Sequence, residues 1–138
     1  MSTTYLLDTN TVSYIAKRRS PAARARLETL GPAETVCISV MTEAEIRYGM
    51  AKHPAARTRR AAIERLIAKF RVLPWGTNEA AAYGTLRAKL DSMGITLAEM
   101  DLLIASHAIA TGAVLVTSDK AFAHLGKLCK IENWATDV

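Results

Sequence analysis

Apolar residues in this chain come in two kinds of stretch. Short, nearly unbroken runs alternate with longer segments in which apolar side chains recur every three or four positions. The short runs are TYLL at 4–7, TVCISV at 35–40, RVLPW at 71–75 and AVLVTSD at 113–119, with a last one near Lys130 and Ile131. They show almost no polar alternation, which is the pattern of strands covered on both faces. The longer segments predict helices over 9–18, 21–30, 42–51, 55–70, 77–93 and 99–111. In the clearest of them Ile63, Leu66, Ile67 and Phe70 fall at i, i+3, i+4 and i+7. Pro21 suits a first helical turn, and Gly31-Pro32 stops that helix. His53-Pro54 separates the third helix from the fourth, Thr77 is the expected cap of the fifth, and Gly94 and Gly112 end the last two.

Strands alternating with helices predict an α/β layer fold with a mostly parallel sheet. In such sheets ligands bind beyond the C-terminal ends of the strands. The 138 residues suit one domain, 1–138, and no repeat or low-complexity linker divides them. Half the residues are apolar and 22% are charged, which supports an ordinary core and argues against disorder. No apolar stretch reaches the length of a membrane span, and no signal segment opens the chain, so a cytoplasmic location is expected. Cys37 and Cys129 lack C-x-x-C spacing and read as reduced, small apolar residues. Charge is unevenly spread. Residues 1–71 hold 13 Lys/Arg and 6 Asp/Glu, whereas residues 72–138 hold 5 and 7. The net +5 is therefore concentrated in the first half, which favours a polyanionic partner.

The rule on strand ends singles out four acids. Asp8 follows the first strand and Asp119 the fourth; Glu45 lies in the helix after the second, and Asp101 near the start of the apolar helix EMDLLIASHAIA. In a parallel sheet all four can gather at one edge. Crowded carboxylates raise one another's pKa values, and stay ionised together when a divalent cation neutralises them. Oxygen ligands suit Mg²⁺ or Mn²⁺. Such an ion binds phosphate oxygens and helps activate water for in-line attack on phosphorus. Asn10, Thr9, Thr117 and Ser118 are the polar neighbours able to hold a ligand or a phosphate. A plainer reading stands beside this one. Each acid also fits a helix N-terminus, with Thr42/Glu45 and Thr96/Glu99 in capping-box spacing and Asp8 and Asp119 as N-caps. Asp101 fits that reading least, because it sits one turn past the cap among Met100 to Ile104. The pattern alone leaves both readings open.

At these same residues the sequence resembles the PIN-domain ribonucleases, specifically the VapC-type toxins of bacterial toxin–antitoxin pairs. LLDTNTVSYI at 6–15, ISVMTEAEIRYG at 38–49, MDLLIASHAIATGAVLVTSD at 100–119 and ENWA near the end carry the resemblance, which spans essentially the whole chain. It implies a three-layer α/β/α fold around a mostly parallel sheet. It implies metal-ligand and catalytic roles for Asp8, Glu45 and Asp101. The family glutamate stands four residues before a glycine, here Gly49, which selects Glu45 over Glu43. Asp119 matches a fourth acid that many relatives replace by another polar residue. Asn10 and Thr117 match polar positions near the site. The implied activity is Mg²⁺- or Mn²⁺-dependent endonucleolytic cleavage of a tRNA or rRNA, which stops translation. The implied partners are a second copy of the chain, as a homodimer, and a VapB-type antitoxin, with operator DNA bound only through the antitoxin.

Lys17, Arg18, Arg19, Arg47, Arg57 and Arg60 are the candidates for gripping RNA phosphates, together with the other cations of the 55–70 helix; the plainer reading is a solvated face. His53, His107 and His124 lack zinc-ligand spacing, and His107 is expected to be structural. Tyr48 and Trp75 read as core or interface residues. No G-x-S-x-G or Gly-rich phosphate loop is present. Two rival functions fit the same residues. One is a non-catalytic nucleic-acid-binding module with a degenerate acidic site, the other a small-substrate phosphohydrolase with Asp8 as nucleophile.

Overall fold

The structure is a computed structural model that describes residues 2–138. Along the chain run β1 (Thr3–Leu7), α1 (Thr9–Ala16), α2 (Pro21–Glu28), β2 (Glu34–Ser39), α3 (Val40–Lys52), α4 (Arg57–Ile67) and β3 (Arg71–Leu73). There follow α5 (Thr77–Ser92), α6 (Glu99–Thr111), β4 (Val114–Val116), a 3₁₀ segment (Lys120–Leu128) and β5 (Ile131–Glu132). The strands form one sheet in the order β3-β2-β1-β4-β5, and every neighbouring pair is parallel. Parallel neighbours need crossover connections, and each crossover lays helices on a face of the sheet.

Alternation along the strands divides the core in two. Tyr5 and Leu7 of β1, Ile38 of β2 and Val116 of β4 face one side, where they meet Val12, Ile15, Ile46, Met50 and Leu66 of α1, α3 and α4. Leu6, Cys37 and Leu115 face the other side, against Leu86 and Leu90 of α5, Leu102 and Ala105 of α6, and Phe122. The result is a three-layer α/β/α arrangement. Both cysteines are buried and free. Among the described residues, no helix is long and apolar enough to cross a membrane.

Element ends depart from expectation where another group supplies the cap. Ser39 closes β2 and caps α3, accepting from the Met41 N–H at 3.0 Å. The helix therefore starts at Val40, Thr42 is fully buried inside its first turn, and no capping box forms between Thr42 and Glu45. Thr96 and Glu99 form none either. Glu99 opens α6, accepts from the Tyr83 hydroxyl and pairs with Arg87 at 3.5 Å. Thr77 is the first helical residue of α5 and not its cap; Glu79 accepts from the Gly76 N–H at 2.9 Å. The fourth helix ends at Ile67, because Lys69 and Phe70 turn back on Leu66 and Ile67 with tighter i→i+3 bonds that lead into β3.

The end of α1 is unusual. The Arg19 N–H returns to the Tyr14 carbonyl at 2.9 Å and the Arg18 N–H to that of Ile15 at 3.2 Å. This is a Schellman turn, whose left-handed residue is normally glycine. Here it is Arg18, at φ 55°. The C-terminal segment crosses back to α2. Ser20 caps that helix through the Ala23 N–H at 3.1 Å, and Asp137 accepts from the Ser20 hydroxyl and, at 3.0 Å, from the Ala22 N–H.

Candidate active site

The chain leaves β1 for β2 and β3 on one side of the sheet, then returns to place β4 and β5 on the other. A crevice beyond the strand ends at such a reversal is where ligands sit in open α/β sheets. Leu7 pairs with Val116 across it, so Asp8 and Thr117 are the next residues out on the two strands. The Asp8 N–H donates to the Val116 carbonyl at 3.0 Å. The residue is only 6% exposed. One oxygen accepts from the Thr11 N–H at 2.8 Å, capping α1; the other accepts from the Thr117 hydroxyl at 2.6 Å. Burial pushes the Asp8 carboxyl above its ordinary range. The bonds from Thr117 and Thr11 oppose that shift, and the negative charge of Asp119 adds to it. Capping and site formation are therefore not alternatives here: one oxygen holds the helix while the carboxylate lies at the crevice.

The other acids join from separate elements. Thr117 also accepts from the Asp119 N–H at 3.1 Å, which holds the loop after β4 against Asp8. Asp119 itself is exposed and caps the 3₁₀ segment through the Ala121 N–H at 2.9 Å. Glu45, half-buried on α3, accepts from the hydroxyl of Thr9. Asp101, half-buried in the first turn of α6, is raised first by burial and then by the charges of Asp119, Asp8 and Glu45. Four carboxylates separated by up to 111 positions thus share one electrostatic field. Among the described residues, no three His, Cys, Asp or Glu close on a common point as a finished metal cage. An open set of mutually repelling carboxylates nonetheless fits Mg²⁺ or Mn²⁺, since Mg²⁺ usually takes one or two carboxylates and keeps several waters. The donors are all oxygen, as those ions prefer.

Residues 5–128 match the PIN domain family. The chain belongs to that family. Its curated relatives place it among the VapC ribonucleases. It is 33% identical over 131 residues to ribonuclease VapC2 of Rickettsia felis, covering 94% of this chain and 97% of that one. It is 32% identical to the tRNA(fMet)-specific endonuclease VapC of Salmonella typhimurium, with the same coverage. Among solved structures, VapBC2 from Rickettsia felis, bound to a DNA fragment from its promoter, superposes with a TM-score of 0.88 at 30% identity, over 95% of this chain and 98% of that one. The PIN chain is accordingly a nuclease, and divalent metals are the general cofactors of its family.

The remaining candidates fall into distinct settings. Asn10 is exposed on the first turn of α1, and Ser118 lies half-buried between Thr117 and Asp119. Arg60 and Lys17 line a groove of about 300 Å³ that begins at Thr9 and Glu45 and continues between α1, α3 and α4. Arg57 is exposed at the first position of α4. Arg47 has its charge already engaged, by Glu43 at 3.2 Å and Glu64 at 3.4 Å, which weakens its reading as a phosphate contact. His107 is fully buried, with Nδ1 2.8 Å from the Ser39 hydroxyl, and burial lowers its pKa. Burial thus favours its neutral form, as suits a structural imidazole packed on Ser39. Trp75 is half-buried and donates to the Leu103 carbonyl at 3.2 Å, but Tyr48 is 65% exposed and is not a core residue. Arg24 was not legible from the pattern as a functional candidate: it lies on a different predicted helix from the other cations it joins, and only the packing of α2 beside α1 and α4 brings them together.

Proposed function

We propose that this PIN protein is a Mg²⁺- or Mn²⁺-dependent endoribonuclease toxin that cuts a structured RNA, a tRNA or an rRNA, and so inhibits translation. The observation that carries this reading is the overlap of Asp8, Glu45, Asp101 and Asp119 at the crevice between β1 and β4, with Asp8 buried and its carboxyl raised. Asp8, Glu45 and Asp101, with Asp119 beside them, would hold the cation. When bound, the ion neutralises these acids and supplies Lewis-acid activation of phosphate and water. The chain's own part is positioning. Asp8 is fixed in place by two hydrogen bonds, from the Thr11 N–H and the Thr117 hydroxyl. Glu45 is steadied by Thr9. Asn10 and Ser118 offer hydrogen bonds to the scissile phosphate, while Lys17 and Arg60 hold flanking phosphates along the adjoining groove.

A VapB-type antitoxin as inhibitor, a homodimeric assembly and contact with operator DNA through the antitoxin alone belong to the same reading. The antitoxin and its DNA contact are supported by relatives solved as VapBC complexes, two of them bound to DNA; the dimer rests on the family resemblance alone. The whole chain, 1–138, is taken to work as one domain. The test is cleavage of total tRNA and rRNA by purified protein with Mg²⁺ or Mn²⁺, then with EDTA, beside Asp101→Asn and Asp8→Asn. Discrete fragments that disappear with EDTA and fall at least about 100-fold in either variant are expected. Wild-type rates in either variant would overturn the site assignment.

A further inference from the structure

Beyond the groove that starts at Glu45 lies a second, wider concavity of about 680 Å³. Seven of its eleven lining residues are cationic and none is acidic. Lys17, Arg18 and Arg19 come from the end of α1 and Arg24 from α2; Arg59, Arg65 and Lys69 come from α4 and its exit. Ion pairs form elsewhere in the protein, at Arg26, Arg47 and Arg87, but none of these seven cations takes part in one among the described residues. Arg24 spends one Nη on the Ile15 carbonyl, at 2.8 Å, while its Nε is buried without a partner. Lys17 and Arg59 line both concavities, so the basin opens directly into the groove that reaches Thr9 and Glu45.

Two features show that this grouping costs stability. Seven like charges share one hollow without a counter-charge, and Lys17 is held below its ordinary pKa by partial burial and by Arg59 and Arg19. In addition, the rim residue Arg18 occupies a left-handed backbone position where glycine would be unstrained. Local rules broken together at one place point to a ligand that offsets them. The missing charge is negative and extended. A row of phosphates along a polynucleotide backbone supplies it at the right scale, and continuity with the acidic crevice sets the direction in which it runs.

We infer that the basin formed by Lys17, Arg18, Arg19, Arg24, Arg59, Arg65 and Lys69 is an RNA-backbone exosite, which holds the substrate strand beyond the groove that adjoins the acids. The assignment rests on the ribonuclease reading for the identity of the polyanion. It makes these cations positioning residues that act on affinity for long substrates and not on the chemistry at the scissile bond.

The test is binding in EDTA, where no cleavage occurs, measured by fluorescence anisotropy against a structured tRNA and against a short RNA oligonucleotide over a range of salt concentrations. The triple variant R19Q/R65Q/K69Q removes three exposed charges. It should weaken tRNA binding about tenfold or more and flatten the slope of log K against log salt by about two to three. The short oligonucleotide should lose much less, so the ratio of the two affinities falls towards one. Arg18→Gly is the companion variant. It should raise the melting temperature by about 2–5 °C while weakening tRNA binding, a combination that a merely structural arginine would not produce. Unchanged tRNA affinity and salt slope in the triple variant would overturn the exosite. Loss of poly-glutamate binding in the same variant, with tRNA binding intact, would assign the basin to an acidic protein segment instead. If the wild-type protein cuts no RNA but the binding differences appear, the exosite stands and the catalytic reading fails.

Discussion

Asp8 performs three tasks with one side chain: it caps α1, receives the Thr117 hydroxyl and faces the other acids. The cap was visible in the sequence as an Asp before a helical pattern, and so was the position at a strand end. The bond to Thr117 was not, because 109 residues separate the partners and only the pairing of β1 with β4 brings them together. Replacing Thr117 by Val should cost about 1–3 kcal/mol in urea unfolding, since it strips a donor from a buried carboxylate and an acceptor from the Asp119 N–H. Thr117→Ser should restore most of it. The raised carboxyls make a second statement about stability. A group whose pKa is higher folded than unfolded stabilises the fold fully below its unfolded value, near 4, and that contribution is lost as pH rises through the folded value. Metal-free wild-type protein should therefore become progressively less stable than its Asp101→Asn variant as pH rises from about 4 through the folded value, as read by thermal melts in EDTA. A constant difference across that range would remove the crowding argument.

At the level of elements, apolar periodicity placed the five strands and six α-helices but not the 3₁₀ segment after β4, and its other errors gathered at the ends. They arose where a cap came from an unexpected neighbour. Ser39 displaced Thr42 because its hydroxyl, at the end of a buried strand, already serves both the Met41 N–H and His107. The side chain of Glu99, at the first position of α6, was turned away from capping by Tyr83 and Arg87 on α5, a tertiary contact with no local signature. Gly112 was read correctly as a stop and has φ +68°, with open space where a Cβ would go. Gly112→Ala should therefore cost only the backbone penalty, about 1–2 kcal/mol, measurable by denaturant midpoint without change in the site. The clasp of Asp137 on the start of α2 had no counterpart in the pattern, because neither Ser20 nor Asp137 lies in an apolar run.

For the molecule as a whole, the uneven charge seen in the sequence became two adjoining surfaces of opposite sign, carboxylates at the crevice and cations in the basin beyond it. Composition supplied the excess in residues 1–71, but not its concentration into one hollow, since that depends on how α1, α2 and α4 pack. A ligand that binds only the folded form adds about 2.7 kcal/mol at a hundredfold excess over its Kd. Saturating Mg²⁺ or Mn²⁺ should thus raise the melting temperature of the wild type and leave Asp8→Asn nearly unmoved, whereas an equal rise in both would place the ion elsewhere. The all-parallel sheet has a further effect on how the protein comes into being. Its central pair, β1 and β4, is joined across more than a hundred residues, a loop closure that is slow and comes after the local contacts. On the proposed reading, a growing polypeptide therefore carries Asp8 from the outset as an unfinished half of a blade, and a product interrupted before β4, lacking Thr117 and Asp119, should leave the RNA around it uncut.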